Sequence, residues 1–154
     1  MIGSSYRHKQ YAPLCWLVAA TSIPAFVAAW ALRGDPVGFL VIAAAGLLLL
    51  VLSASCWYLQ IADDEDSLLV SFGPIPILRR RIRYDRIQAA HVSQTTVLDG
   101  WGIHWSMRGG WVWNIWGWDC VEIELEKGKV IVGTDDAENL AAFVKSRIPA
   151  RPAA

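Results

Sequence analysis

Two stretches of this chain run without a charge for longer than an ordinary buried helix needs. Residues 11–32 (YAPLCWLVAATSIPAFVAAWAL) form a run of 22, and residues 37–61 (VGFLVIAAAGLLLLVLSASCWYLQI) form one of 25, with only uncharged polar residues near its end. At 1.5 Å per residue, either run reaches about 30 Å, the thickness of a bilayer's hydrocarbon core. Arg33-Gly34-Asp35-Pro36 separates them. Gly34 suits a positive φ after a first helix, and Pro36 suits the first turn of a second. So short a turn cannot recross a bilayer, so the pattern predicts an antiparallel transmembrane hairpin within residues 11–61, its helices at about 12–32 and 37–60. A cleaved signal peptide is disfavoured, because the first run lacks a clean small-residue cleavage site and meets a second hydrophobic run at once.

Beyond residue 61 the period changes from helical to alternating. Residues 67–72 (SLLVSF) end at Gly73-Pro74, residues 75–78 (IPIL) lead into arginines, and residues 87–97 (IQAAHVSQTTV) are rich in β-branched side chains. Residues 111–116 (WVWNIW) alternate, and residues 121–125 (VEIEL) set Val121, Ile123 and Leu125 against Glu122 and Glu124. Lys127-Gly128 predicts a hairpin turn returning through residues 130–132. Asp135 with Glu138, or Thr134 one residue earlier, then caps a helix with Leu140, Phe143, Val144 and Ile148 on its apolar face, stopped by Pro149. The expected domain therefore has six or seven antiparallel strands and one closing helix.

The segments SLLVSFGP, IRYDRI, GWGIHWSMRGGWVWNIWGWDCVEIELEKGKVIVGTDD and AENLAAFVKSRI together resemble the bacterial pleckstrin-homology-like (PH-like) domains of small membrane proteins with a two-helix hairpin in front. The most specific piece is VEIELEKGKVIVGTDDAENLAAF, and the resemblance covers residues 12–148. It implies a partly open barrel of two antiparallel sheets capped by a C-terminal helix. It also implies a domain without enzymatic activity, in a class with scaffolding, oligomerisation and membrane-associated roles. It brings no catalytic residue. The expected organisation is an N-terminal cytoplasmic tail (1–10), the hairpin (11–61), a PH-like cytoplasmic domain (62–148) and a C-terminal tail (149–154).

Charge divides at the same place. Residues 11–60 hold only Arg33 and Asp35, whereas residues 61–154 hold eleven Lys/Arg and thirteen Asp/Glu, a net of −2. Arg7 and Lys9 before the first run, against Arg33 balanced by Asp35 in the turn, place both termini in the cytoplasm by the positive-inside rule. The expectation is a multi-pass protein of the bacterial cytoplasmic (inner) membrane, with Tyr11, Trp57 and Tyr58 as interfacial anchors. Asp63, Asp64, Glu65 and Asp66 stand directly after the second run, but acidic residues weigh little in topology.

Neither run contains Asp, Glu, Lys, Arg or His, so a proton relay or ion-coupled transport has no titratable group at depth. Pro24 after Thr21-Ser22 allows a kink with hydroxyls satisfying a freed carbonyl. Thr21, Ala25 and Ala29, at intervals of four, form a small-residue stripe for packing on the second helix or on another membrane protein.

Six of nine tryptophans fall within residues 100–118: Trp101, Trp105, Trp111, Trp113, Trp116 and Trp118. One small domain can hardly bury six indoles, so they are either core and interfacial-belt residues or anchors of a protein contact. Arg79, Arg80, Arg81, Arg83 and Arg86 form the densest basic segment, either a solvated strand or a contact for anionic lipid, with alternation sending Arg79, Arg81 and Arg83 to one face.

Catalytic, metal and cofactor chemistry find no support. Gly100-Trp101-Gly102 lacks a third glycine and a following helix, so it is not a phosphate loop. His91 and His104 lack ligand spacing to Cys or to a second His, and Ser93 stands about 7 Å along the strand from His91. Cys15, Cys56 and Cys120 form no CxxC and no disulfide framework; they read as small buried hydrophobes, with acylation of Cys15 or Cys56 as the alternative. No basic groove surrounds the tryptophans for nucleic acid. The expected function is a non-catalytic membrane-anchored scaffold or accessory subunit, contacting other membrane subunits or itself. The alternative is a module sensing anionic lipid through its arginine segment.

Overall fold

The first uncharged run is divided between two elements. In the computed structural model, which describes residues 5–96 and 99–149, strand β1 (Arg7–Tyr11) takes Tyr11, and Ala12 is buried in the domain core. Pro13 then caps helix α1 (Leu14–Ala31). The second run yields helix α2 (Pro36–Ser55) and then gives its last residues to strand β2 (Tyr58–Asp64). Among the described residues only α2, 20 residues long, is long and apolar enough to cross a membrane; the apolar stretch Cys15–Ala31 is shorter. The expected two-span hairpin, and with it the multi-pass inner-membrane topology with both termini in the cytoplasm, is thus corrected to one candidate spanning helix. The physical reason is that absence of charge does not distinguish a helix from the sheet strands at either side of it.

The two helices pack along each other. Asp35 caps α2 by accepting the Val37 N–H at 3.2 Å with Pro36 in the first turn, while Gly34, expected at positive φ, does not adopt it. On α1, Cys15, Ser22 and Ala29 are buried, and Ser53 Oγ of α2 donates to the Cys15 carbonyl at 2.6 Å. Thr21 and Ser22 donate to the carbonyls of Val18 and Ala19, so neither reaches the carbonyl that Pro24 frees. Gly46 packs against the Phe26 ring: a Cβ there would stand 3.1 Å from it. Gly46→Leu is expected to splay the helices and cost about 1–3 kcal/mol through overpacking. The check is a lower thermal midpoint of the detergent-solubilised chain.

The remaining elements are strands β3 (Ser67–Gly73), β4 (Arg79–Arg83), β5 (Ile87–Gln94), β6 (Gly102–Trp105), β7 (Trp111–Asn114), β8 (Asp119–Leu125) and β9 (Lys129–Gly133), then helix α3 (Ala137–Arg147). A first sheet has the order β1-β2-β3-β4 and a second β5-β8-β9-β7-β6. The first is antiparallel throughout, whereas β7 pairs parallel with β9 in the second. The hydrogen-bonded ladders end at β1 and β4 in one sheet and at β5 and β6 in the other. The expected PH-like partly open barrel of six or seven antiparallel strands is therefore corrected to two open sheets of four and five strands. Residues 75–78 are loop rather than strand, and Val97, included in the expected strand over residues 87–97, lies outside the described residues.

One hydrophobic core joins the layers. Leu59, Ile61, Leu68, Val70, Phe72 and Ile82 come from the first sheet. Trp113, Val121, Ile123, Val130 and Val132 come from the second, and Leu140 and Val144 from α3. These side chains occupy alternate strand positions, so each sheet turns one face inward. Helix α3 starts after Asp136 rather than Asp135, and Thr134 Oγ1 accepts the Asp136 N–H at 3.1 Å. The inward side of β1 and the residue before it tie the layers together: Tyr6 donates to Asp136 at 3.0 Å and stacks on Phe143, and Gln10 donates to the Trp116 carbonyl at 2.9 Å.

Candidate functional site

The six clustered tryptophans separate into three groups. Trp113 lies in the core, 8% exposed, with its ring 6.0 Å from that of Phe72. Trp105 and Trp111 are register partners across β6 and β7, meet edge-on at 5.8 Å, and are 60% and 42% exposed. Trp101 stacks on the half-buried Trp116 at 4.3 Å and tilts toward the exposed Trp118 at 6.3 Å, with its Nε1 donating to the Gly117 carbonyl. Met107, 86% exposed, extends the Trp105–Trp111 pair at the hairpin tip. Gly110 makes that hairpin fit: at φ +97° it passes the Lys129 carbonyl so closely that a Cβ would stand 2.6 Å from the oxygen.

Asp99 holds this region in place, a role with no local sequence signature. Its carboxylate is buried and accepts Ser106 Oγ at 2.5 Å, Thr96 N–H at 3.2 Å and Thr96 Oγ1 at 3.0 Å, with Arg108 Nη2 at 3.1 Å. Burial alone would raise its pKa; the donors from Ser106 and Thr96 and the Arg108 charge outweigh it and hold the carboxyl below its ordinary value. Beneath lies Cys120, fully buried with Val112 and Ile131 on the second sheet's outward face, its thiol pushed up to about 11 mainly by burial.

The basic segment does not form a single patch. Arg79 and Arg81 pair with Ser71 and Leu69 on the outward face of the first sheet, and Arg83 follows on that face. Arg80 pairs with the core residue Val70, so it points to the other face, where burial lowers its pKa. Arg86 sits beyond the strand in a single 3-10 turn (Tyr84–Arg86). Arg81 is bound to Asp64 at 2.9 Å, and Arg83 to Asp85 at 2.7 Å. The same outward face receives Arg7 and Lys9 from β1 at its opposite edge, opposite Ala62 and Gln60.

Of the small-residue stripe on α1, Ala29 is buried in the helix seam, Ala25 is half-buried and Thr21 is exposed. His91 is exposed, 3.9 Å from Glu124, while His104 has a buried Nε2 without a hydrogen-bond partner. Among the described residues no group of three or more His, Cys, Asp or Glu is placed to hold a metal ion. All three cysteines are free thiols.

Compared with known proteins, the sequence matches no family model and no curated protein. The resemblance to bacterial PH-like membrane proteins with a two-helix hairpin is corrected on that result, which agrees with the open sheets and the single candidate spanning helix. A folded domain joined to one long apolar helix is consistent with a membrane-associated protein.

Proposed function

We propose that this chain is a non-catalytic, membrane-associated scaffold or accessory subunit, anchored by α2, that holds a second membrane subunit or another copy of itself through its exposed indoles. The observation that carries this reading is the Trp105–Trp111 pair with Met107 beside it: large apolar side chains set on a hairpin, braced by Asp99 and left facing solvent. Rigid aromatic anchors of this kind supply much of the binding energy at protein interfaces. The indoles lie on the second sheet and the rows of cations on the first, an arrangement suited to protein rather than nucleic acid.

The test begins with purification of the full chain in gentle detergent and measurement of the mass of the species. A complex or an oligomer is expected; a strict monomer without a co-purifying protein overturns the reading. Trp105→Ala combined with Trp111→Ala is expected to weaken that association about thirtyfold or more, the effect of one hot spot of about 2 kcal/mol. Circular dichroism must show the variant folded, and wild-type association by the folded variant would place the contact elsewhere. A second reading, contact with anionic lipid, is favoured by the cations on the first sheet's outward face.

A further inference from the structure

At the end of the first sheet from which α1 and α2 leave, aromatic, apolar and cationic side chains follow one another in order. Tyr11, 60% exposed, meets Tyr58 edge-on at 5.7 Å, and Trp16, 68% exposed, meets Trp57 at 6.3 Å. Rings with an apolar body and a polar tip gather at the boundary between hydrocarbon and headgroups. Gly73 stands opposite Tyr58, and the loop that follows, residues 74–78, exposes Ile75, Ile77 and Leu78 at the same end. These three apolar side chains are left exposed by the described residues, and the neighbouring helix α2 is the one suited to hydrocarbon.

The cations come next. Lys9, Gln60, Ser71 and Arg79 lie side by side across the four strands, and Lys9 Nζ sits 4.5 Å over the Tyr58 ring. Arg7, Ala62, Leu69 and Arg81 form the following row. Rows on one face of a strand are about 7 Å apart, and a headgroup layer is about 5–8 Å deep, so the Lys9–Arg79 row falls at phosphate depth when the tyrosines mark the boundary. Among the described residues, ion pairs engage Arg81 and Arg83 but not Arg7, Lys9 or Arg79. The acids Asp64, Glu65 and Asp66 turn at the opposite end of β2, about 20 Å away, where Arg81 and Arg83 are held in ion pairs with Asp64 and Asp85, so the Lys9–Arg79 row nearest the helices is the one outside the ion pairs.

We infer that this end of the first sheet's outward face docks on the anionic phospholipid headgroups of the bilayer that α2 enters. Ile75, Ile77 and Leu78 seat at the acyl boundary, while Lys9 and Arg79 pair with phosphate oxygens. Such docking fixes the domain against the membrane instead of leaving it to swing on its anchor. It rests on the membrane-association reading, but it is separate from the indole contact on the second sheet.

The full chain in nanodiscs of phosphatidylcholine alone, or with phosphatidylglycerol added, gives the test, read by amide hydrogen exchange over residues 74–79. Two cations near an anionic leaflet are worth about thirtyfold in a docking equilibrium, so exchange is expected to slow by at least about tenfold when phosphatidylglycerol is present. Lys9→Gln with Arg79→Gln should abolish the difference, as should 1 M salt, which shrinks screening from roughly 10 to 3 Å. Both side chains are exposed and outside the ion pairs, so the variant is expected to fold. Equal exchange in both lipids overturns the docking, and protection that appears only with a bound protein assigns the face to that protein instead. Flotation with phosphatidylcholine vesicles is the separate control: a chain that fails to float overturns membrane association itself, whereas one that floats with lipid-independent exchange overturns the docking alone.

Discussion

Trp113→Ala is expected to destabilise the domain by about 3–5 kcal/mol, the range for emptying a buried aromatic site. Its ring fills the junction between the sheets, 8% exposed beside Phe72 and among Ile115, Val130 and Val132. None of these neighbours can close such a space without shifting a strand. Trp113→Phe is expected to behave differently. The indole Nε1 is buried without a hydrogen-bond partner, an arrangement that costs about 1–3 kcal/mol relative to an apolar atom. Phenylalanine removes that orphan while keeping most of the apolar volume, so the two effects oppose each other and the net change should stay within about 1 kcal/mol. Chemical denaturation of the detergent-solubilised chain, followed by far-ultraviolet circular dichroism, separates the two variants. Equal losses for alanine and phenylalanine would show that shape at this position, rather than the buried N–H, sets the cost. Trp105→Ala, at an exposed ring on the same face of the sheet, should cost far less than Trp113→Ala in the same assay.

The contrast between those positions shows where local pattern stops. Spacing places Trp111 and Trp113 on one strand face, and they share it, yet one is 42% exposed and the other 8%. The difference arises because the first sheet and α3 cover only part of that face, and no local period carries the width of an opposing layer. Alternation does carry the hairpin of β8 and β9, because Val121 and Ile123 against Glu122 and Glu124 record which side meets the core. It likewise separates Arg79, Arg81 and Arg83 from Arg80. What it misses are β1, β2 and β6. Arg7 and Lys9 join the arginine face only through pairing with residues 62 and 60, on the far side of two helices. The same strand removes Tyr11 from the first hydrophobic run and leads Ala12 into the core, so one long-range pairing accounts for the hidden cations and helps to shorten the first helix.

Asp99 is another feature that strand alternation does not show, because its partners Thr96, Ser106 and Arg108 meet it in a loop and hairpin turn, and its removal should loosen the tryptophan region without unfolding the core. Asp99→Ala leaves Ser106 Oγ, the Thr96 N–H and hydroxyl, and Arg108 without their shared acceptor. Arg108 is partly exposed and Thr96 exposed, so both can turn to water, which limits their penalty; the buried Ser106 bears most of the rest, for a total of about 1–3 kcal/mol. Cys120, fully buried on the face where Arg108 and Asp99 are close enough to influence its thiol, reports the opening. With Cys15 and Cys56 changed to serine, maleimide should label Cys120 at least about tenfold faster in Asp99→Ala than in the parent at neutral pH, since tenfold corresponds to only about 1.4 kcal/mol of local opening. The same carboxyl gives an acid response of definite sign. Its folded-state pKa is depressed, so the stabilisation is fully present above the unfolded-state value of about 3.9 and is lost as pH falls through the lower folded value. Near-ultraviolet circular dichroism of the Trp101–Trp116 stack, rings 4.3 Å apart, should therefore hold constant down to about pH 4 and decay below it. Asp99→Asn removes the titrating group while nearly preserving shape, so its signal should start lower and stay flat across that window. A parent-like decay in Asp99→Asn would assign the acid response to another carboxylate and remove Asp99 as the brace of the tryptophan surface.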